Sequence, residues 1–507
     1  MSGLTLVLIL ALLLAGALVT YLCGRITRPA LGVEGSGKVA GIVAAAILAS
    51  ALYRFWPLAV AVVRWGQVPE ITLGPSSSAF SITLAVDALA IVMGFTILGL
   101  ALMVAIYSVA YMDRDVGVEK FHALLLLMVA GMLGLVASAD LFNMYVFFEL
   151  MAIASYVLVA FRNQQWEPVE AGIKYVVMSA VGSLLALLGI ALLFSYTGEL
   201  GFAALAKRLS AVPRLPMLVI TTLFICGFGV KAAVVPLHTW LPDAHAAAPS
   251  GISAMLSGVV IQTGLFAMLR VLMACFLGSL VPFGLALAMF AILTMFVGNL
   301  LALVQSDLKR MLAFSSIAQM GYILLGLGLG SYYRYSVSGL SGGLFHIMTH
   351  AFMKGLAFLC AGVIIHQLGT RDVEDMRGLG RRMPFTAACF TVAGLALAGV
   401  PPFSGFMSKW LIYKAGLDAG TWAGYTCAAL AILNSIISLG YYLPVINRFY
   451  SKEASPKVAA LHEASPWSAV PMGALALATI FLGVYPQVAL NAVVPAMHVM
   501  LRALGGW

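Results

Sequence analysis

Six ionisable residues stand inside apolar sequence, too far from a polar stretch to reach water. Glu149 lies in Tyr145-Val146-Phe147-Phe148-Glu149-Leu150-Met151, and Lys231 in Gly227-Phe228-Gly229-Val230-Lys231-Ala232-Ala233. His346, His350 and Lys354 share the run His346-Ile347-Met348-Thr349-His350-Ala351-Phe352-Met353-Lys354, and Lys409 follows Phe406-Met407-Ser408. A charge at mid-bilayer costs about 2.5–3.5 kcal/mol on insertion scales, so a retained one marks an ion path by default. The chemistry these types can do is proton carriage. Burial favours a neutral lysine and a neighbouring carboxylate favours the ammonium, so a Glu149–Lys231 pair of variable spacing switches the lysine near neutral pH. The i, i+4, i+8 spacing of the histidine run drifts only about 40° per step, so all three side chains line one helix face. Imidazole titrates near neutrality and can relay a proton through its two nitrogens. Metal binding is the rival use of two histidines four apart, but a third ligand is missing and Lys354 repels a cation. Plainer readings stay open: a structural hydrogen bond for Glu149, a static ion pair for Lys231, polar packing for the stripe, and snorkelling for Lys409.

Other polar residues read differently. His366 closes the histidine segment and suits a cytoplasmic mouth of the path, whereas Lys174, Arg270 and Lys414 suit interfacial anchors. The loop His238-Thr239-Trp240-Leu241-Pro242-Asp243-Ala244-His245 lacks an activated nucleophile and reads as a structural cap. Gly339–Gly343 has no lysine-bearing phosphate pattern, and no haem, flavin or nucleotide motif is present, so no cofactor and no covalent chemistry are expected of this chain. The 6 cysteines form no Cys-x-x-Cys and sit in or beside apolar runs, which predicts buried small hydrophobes.

The elements that position these groups must be membrane helices. Of the 507 residues, 62% are hydrophobic and 9% are charged, against roughly 25% charged in soluble domains. Lipid is therefore the solvent for most of the chain. The net charge of +9 sits in short linkers and sets orientation; it does not indicate nucleic acid. About 14 apolar segments are long enough to span, at roughly 20 residues each. They lie near 3–23, 39–62, 84–111, 121–139, 141–161, 171–195, 216–236, 249–276, 281–304, 310–330, 338–366, 384–414, 421–447 and 467–492. Arg25, Arg28, Lys38, Arg114, Lys120, Arg162, Lys309, Arg310, Arg371, Arg377, Arg381, Arg382, Arg448, Lys452 and Lys457 occupy alternate loops, which predicts those loops to be cytoplasmic and both termini outside the inner membrane. Lys207, Arg208 and Arg214 form one outer exception. No basic stretch precedes the first apolar run, so it reads as a transmembrane helix and not as a cleavable signal. Residues 69–83 alternate polar and apolar and predict a small outer hairpin. Two segments carry breakers, Pro236 in one and Pro401-Pro402 in the other. Broken spans are tolerated only beside protein or a wet cavity, and a matched pair of breaks points to a path between inverted repeats. A lysine stands next to each break.

Together these residues resemble a known family: the antiporter-like subunits shared by respiratory complex I, membrane-bound hydrogenases and Mrp-type sodium/proton antiporters. The resemblance covers roughly residues 80–450. It rests on Asp140-Leu141-Phe142-Asn143 leading to Phe147-Phe148-Glu149, on Lys231 with Pro236-Leu237-His238-Thr239-Trp240-Leu241-Pro242-Asp243-Ala244-His245, on Asp307-Leu308-Lys309-Arg310-Met311-Leu312-Ala313-Phe314-Ser315-Ser316, on His346 to Lys354, and on Pro401-Pro402-Phe403-Ser404-Gly405-Phe406 with Lys409. Phe142–Glu149 looks most like the Mrp D-type and hydrogenase-linked branches. The resemblance implies three leading helices (1–112), two inverted five-helix repeats (121–276 and 281–447) and a last helix (467–492), in one membrane domain. It implies a subunit of a translocase working with further antiporter-like and other membrane subunits, moving protons and, in some relatives, sodium. By resemblance Glu149 tunes Lys231, Lys231 serves the first half-channel, His346, His350 and Lys354 form the central stripe, and Lys409 stands on the exit side. Many relatives carry a lysine where this chain has Gln262, which orients water but holds no charge. The alternatives to a redox-driven proton pump are an Mrp-type antiporter subunit, a non-conducting scaffold, and a solitary transporter of an organic solute.

Overall fold

The computed structural model describes residues 3–74, 81–209, 212–276, 283–332 and 336–503. In lipid every backbone amide must be satisfied within its own segment, and long apolar runs meet that condition as helices. The first element, α1 (Leu4–Trp65), is helical throughout except at Gly32, where φ is 71° and ψ is −172°. The chain folds back there: a Cβ on Gly16 would meet Ile47 at 2.9 Å and one on Gly24 would meet Ala40 at 3.4 Å. The sequence predicts a basic loop between spans 3–23 and 39–62; the turn is instead a single glycine, the residue that adopts this backbone without a Cβ clash.

Strands β1 (Glu70–Leu73) and β2 (Ile82–Ala85) pair antiparallel with Glu70 opposite Ala85. This is the expected hairpin, two residues longer at its second strand; its tip, 75–80, lies outside the described residues. The helices that follow are α2 (Ala88–Tyr111), α3 (Val118–Ala137), α4 (Leu141–Val159), α5 (Trp166–Thr197), α6 (Phe202–Arg208), α7 (Arg214–Lys231), α8 (Trp240–Ala247), α9 (Ser250–Met255) and α10 (Ile261–Phe276). After them come α11 (Phe283–Leu303), α12 (Leu308–Tyr332), α13 (Val337–Leu368), α14 (Pro384–Ala398), α15 (Ser404–Asp418), α16 (Trp422–Phe449), α17 (Pro466–Val484) and α18 (Gln487–Ala503).

Among the described residues, twelve helices are long and apolar enough to cross a membrane, with α9 and α10 counted together. With α1 counted as two passes and the broken α14–α15 pair as one more, the described residues contain the expected 14. The chain is an all-α, multi-pass membrane protein. Residues 118–276 hold five passes (α3, α4, α5, α7–α8, α9–α10), and residues 283–449 hold five more (α11, α12, α13, α14–α15, α16). In both sets the fourth pass is the broken one. The end of the chain differs from the sequence expectation. The segment 467–492 stops at Val484, Tyr485 leaves the helix at φ −124° and ψ 63°, and α18 starts beyond Pro486. A residue before proline is pushed out of the helical region, which accounts for this boundary.

Candidate functional site

Each break leaves backbone groups that a continuous helix would satisfy, and in each the chain interior supplies the partners. The first break lies between α7 and α8. Trp240 Nε1 donates to the Val230 carbonyl at 2.9 Å, and the Val235 amide donates to Thr294 Oγ1 at 3.1 Å. In the second break Pro401 lacks the N–H that would bond the Leu397 carbonyl in an unbroken helix. That carbonyl instead accepts from Lys409 Nζ at 2.8 Å and from Gln319 Nε2 at 3.0 Å. Gly405 lets the two pieces approach: a Cβ there would sit 1.9 Å from the Ala396 carbonyl oxygen.

Lys231, the last residue of α7, is buried in an aromatic box. Its Nζ donates to Tyr175 Oη at 2.7 Å and lies 4.6, 5.3 and 5.7 Å from the ring centroids of Tyr175, Tyr156 and Phe148. Tyr175 stacks on Trp240 at 4.0 Å and exchanges a hydrogen bond with Ser155 at 2.9 Å, which ties the box to the break. Ring quadrupoles stabilise an ammonium that has left water. Glu149 acts on Lys231 electrostatically. Among the described residues the two do not form an ion pair, and one Glu149 carboxylate oxygen is buried without a hydrogen-bond partner.

His346, His350 and Lys354 are all 0% exposed, on one face of α13. The rings of His346 and His350 are 6.1 Å apart between centroids. Gln262 follows a single π-helical turn, Leu256–Val260, a distortion that re-aims side chains and recurs at functional sites. Its Nε2 stands 2.6 Å from His350 Nδ1, so Gln262 meets the central stripe directly. The Gln262 amide oxygen and His350 Nε2 are buried without partners. His346 Nε2 faces Gln319 Oε1 at 3.0 Å, and its Nδ1 faces Ser408 Oγ at 2.8 Å. Because Gln319 gives its amide N–H to Leu397, its oxygen must accept, so His346 Nε2 carries the proton and Nδ1 accepts from Ser408. Lys354 Nζ donates to the Leu312 carbonyl at 2.8 Å and to Tyr442 Oη at 3.3 Å.

Lys409 is likewise 0% exposed, which rules out snorkelling. Besides Leu397 it bonds Ser435 Oγ at 3.2 Å, and it lies 4.3 Å from the Tyr322 ring centroid. His366 sits at the basic end, 3.3 Å from Asp113, with Arg114 donating to its carbonyl. Arg270 is not a free anchor. It ion-pairs with Asp87 and donates to the Val136 carbonyl, tying α10 to the start of α2. Lys174 joins Glu170 and Asp243, and Lys414 joins Asp418, both exposed.

The structure brings to the interior residues that the sequence reading leaves outside the path. His245 is fully buried with both ring nitrogens unpartnered, stacks on Phe358 at 4.7 Å, and feels the charges of Lys354 and Lys309. Lys309 is buried and donates to the Ala248 carbonyl at 2.5 Å, inside a rim of Arg310–Asp243 and Arg371–Asp307 ion pairs. Ser315, Gln319 and Tyr322 share one face of α12 at i, i+4, i+7 spacing; that polar repeat is the signal that marks them.

Residues 138–437 match the family model described as NADH:quinone oxidoreductase/Mrp antiporter, TM, and residues 73–122 match that of the N-terminus of NADH-ubiquinone oxidoreductase (complex I) chain 5. The chain belongs to this family of antiporter-like membrane subunits. It is 34% identical over 449 residues to NADH-quinone oxidoreductase subunit N of Desulforudis audaxviator, covering 87% of this chain and 84% of that one. Among solved structures, a chain of the archaeal membrane-bound sulfane sulfur reductase superposes with TM-score 0.87 at 30% identity, covering 100% of both chains. A chain of the Mrp complex from Dietzia sp. superposes with TM-score 0.81 at 26% identity, covering 97% of each. The antiporter-like family thus accounts for nearly the whole chain, including the broken passes that carry Lys231 and Lys409.

Proposed function

We propose that this antiporter-like subunit carries protons across the membrane as part of a redox-driven multisubunit complex. The observation that carries the reading is the run of fully buried ionisable groups across the two five-pass sets, with Lys231 and Lys409 at the two breaks. A buried charge without a fixed counter-ion is costly to retain in a purely structural role. Lys231 has hydroxyl and aromatic partners, and His346 and Lys354 likewise have only neutral hydrogen-bond partners. Each can therefore gain or lose a proton without breaking an ion pair.

In this reading Glu149 loads Lys231, Gln262 couples the first set to His350, and the stripe passes charge to Lys409. The basic end, with Lys309 and His366, faces the cytoplasm by the positive-inside rule, which places both termini outside the inner membrane. The two five-pass sets start from opposite ends of the bundle, which supports an inverted relationship between 121–276 and 281–447. Partner subunits include further antiporter-like chains. The likeness to the Dietzia Mrp complex keeps sodium exchange as a second reading. Reconstituted complexes carrying Lys231→Ala or Glu149→Ala test both. Loss of driven proton transport is expected in each, and wild-type transport in both variants overturns the proposal. Transport in wild type that requires a sodium gradient, with no redox reaction, selects the second reading.

A further inference from the structure

Two rings of α4 bracket the Lys231 ammonium. Phe148 and Tyr156 stand about two helical turns apart, and Nζ lies 5.7 and 5.3 Å from their ring centroids. The Tyr156 hydroxyl is turned away and donates to Ser179 Oγ at 2.9 Å, so the lysine meets the ring of Tyr156 and not its oxygen. Tyr175 differs: its centroid is 4.6 Å from Nζ because its hydroxyl accepts the lysine bond at 2.7 Å. Edge contacts fix both α4 rings, Phe148 on Phe228 at 5.7 Å and Tyr156 on Tyr175 at 4.8 Å between centroids. Glu149, beside Phe148 on the same helix, acts on Lys231 through its field. The second break repeats the device. Tyr322 gives its hydroxyl to the Ala431 carbonyl at 2.9 Å and its ring to Lys409, whose Nζ is 4.3 Å from the centroid.

The face of an aromatic ring carries partial negative charge, and its attraction for a cation grows as water is removed. An ammonium held in this way needs no carboxylate at hydrogen-bond distance. We propose that Phe148 and Tyr156 supply the counter-charge of Lys231, and that they hold the loaded ammonium in place while Glu149 takes up its next proton. This rests on the proton-carrying reading above. A field supplied by the carboxylate vanishes when the carboxyl is protonated, whereas a ring quadrupole does not titrate. The rings thus keep the load on Lys231 through that step. Phe148 and Tyr156 are positioning residues here: they hold the carrier's charge and exchange no proton with it.

The test uses the whole complex in liposomes, energised by its own driving reaction, with a pH-sensitive dye inside. Phenylalanines of increasing ring fluorination in place of Phe148 keep its shape nearly unchanged and draw charge away from the ring face. Driven proton transport is expected to fall stepwise along that series, several-fold at its end, with assembly by gel filtration unchanged. Tyr156→Phe keeps the ring and should transport like wild type, whereas Tyr156→Leu loses it and should fall several-fold. The fluorinated series decides alone if Tyr156→Leu fails to assemble. Transport that ignores fluorination, or that falls as far in Tyr156→Phe as in Tyr156→Leu, overturns the ring seat while Lys231→Ala stays inactive and the proton-carrying reading stands. Wild-type transport in Lys231→Ala instead sinks that reading and the seat with it.

Discussion

Gln262 Nε2 lies 2.6 Å from His350 Nδ1, and this contact joins the first five-pass set to the second. A neutral amide thus stands against a buried imidazole. It cannot hold a charge, but it fixes the ring it touches. Gln262→Leu removes the contact and leaves a buried imidazole nitrogen unpaired, at a cost of about 1–3 kcal/mol. Driven transport should fall in that variant and be retained in Gln262→Lys. Unchanged transport in Gln262→Leu would favour the scaffold reading, and the liposome dye assay decides.

Lys231 separates stability from function. A buried cation costs desolvation that a methionine of similar length does not. Lys231→Met should therefore assemble as well as wild type and melt at the same or a higher temperature in detergent, while driven transport is lost. Tyr175→Phe, which removes the hydroxyl that Lys231 bonds, should weaken transport and keep assembly. A Lys231→Met complex that fails to assemble would make the lysine structural.

The second break depends on close approach. A Cβ on Gly405 would stand 1.9 Å from the Ala396 oxygen, a backbone atom that cannot swing aside. Gly405→Ala should lower the yield of assembled complex sharply. Gly99→Ala in α2, where a Cβ meets nothing within 4 Å, should be neutral or stabilising by up to about 1 kcal/mol. Comparing the two yields by gel filtration checks the geometry.

Asp140 caps α4, accepting from the Asn143 amide at 2.6 Å, beside the outer hairpin. Burial raises its carboxyl above the ordinary value, against the lowering effect of the amides of Asn143, Thr83 and Phe142. The folded state therefore binds this proton more tightly than the unfolded chain, and that stabilisation is lost as pH rises through the folded value. Asp140→Asn keeps the cap without the ionisation cost. It should match or exceed wild-type melting temperature at neutral pH, with the gap closing as the solution is acidified through the carboxylate range. Asp140→Ala loses the cap and should cost about 1 kcal/mol at either pH. Thermal melts at two pH values distinguish these outcomes.

Much of this site is legible because the cost of placing charge in lipid is large and local. Glu149, Lys231, the stripe on α13 and Lys409 stand out from apolar neighbours without any knowledge of their partners, and Pro236 and Pro401-Pro402 announce the breaks through the missing N–H alone. Gly32 is less legible. A glycine among Arg25, Arg28 and Lys38 reads as part of a basic loop, and only the packing of Gly16 on Ile47 and Gly24 on Ala40 makes helix right up to the turn. His245 and Lys309 read as loop residues for the same reason, since their burial comes from α13 and from the C-terminal end of α8, which are distant in sequence.

Sequence alone determined the solvent, the number of passes, the positions of the breaks and the identity of the costly groups, because each follows from the transfer energy of a residue and its near neighbours. Tertiary structure decided who partners whom. Lys231 faces Tyr175 and forms no ion pair with Glu149, Gln262 reaches His350, and the Leu397 carbonyl freed by Pro401 is shared by Lys409 and Gln319. Those pairings depend on how helices cross and on the turn of the π-bulge, quantities set by packing over the whole bundle and written in no single stretch of the chain.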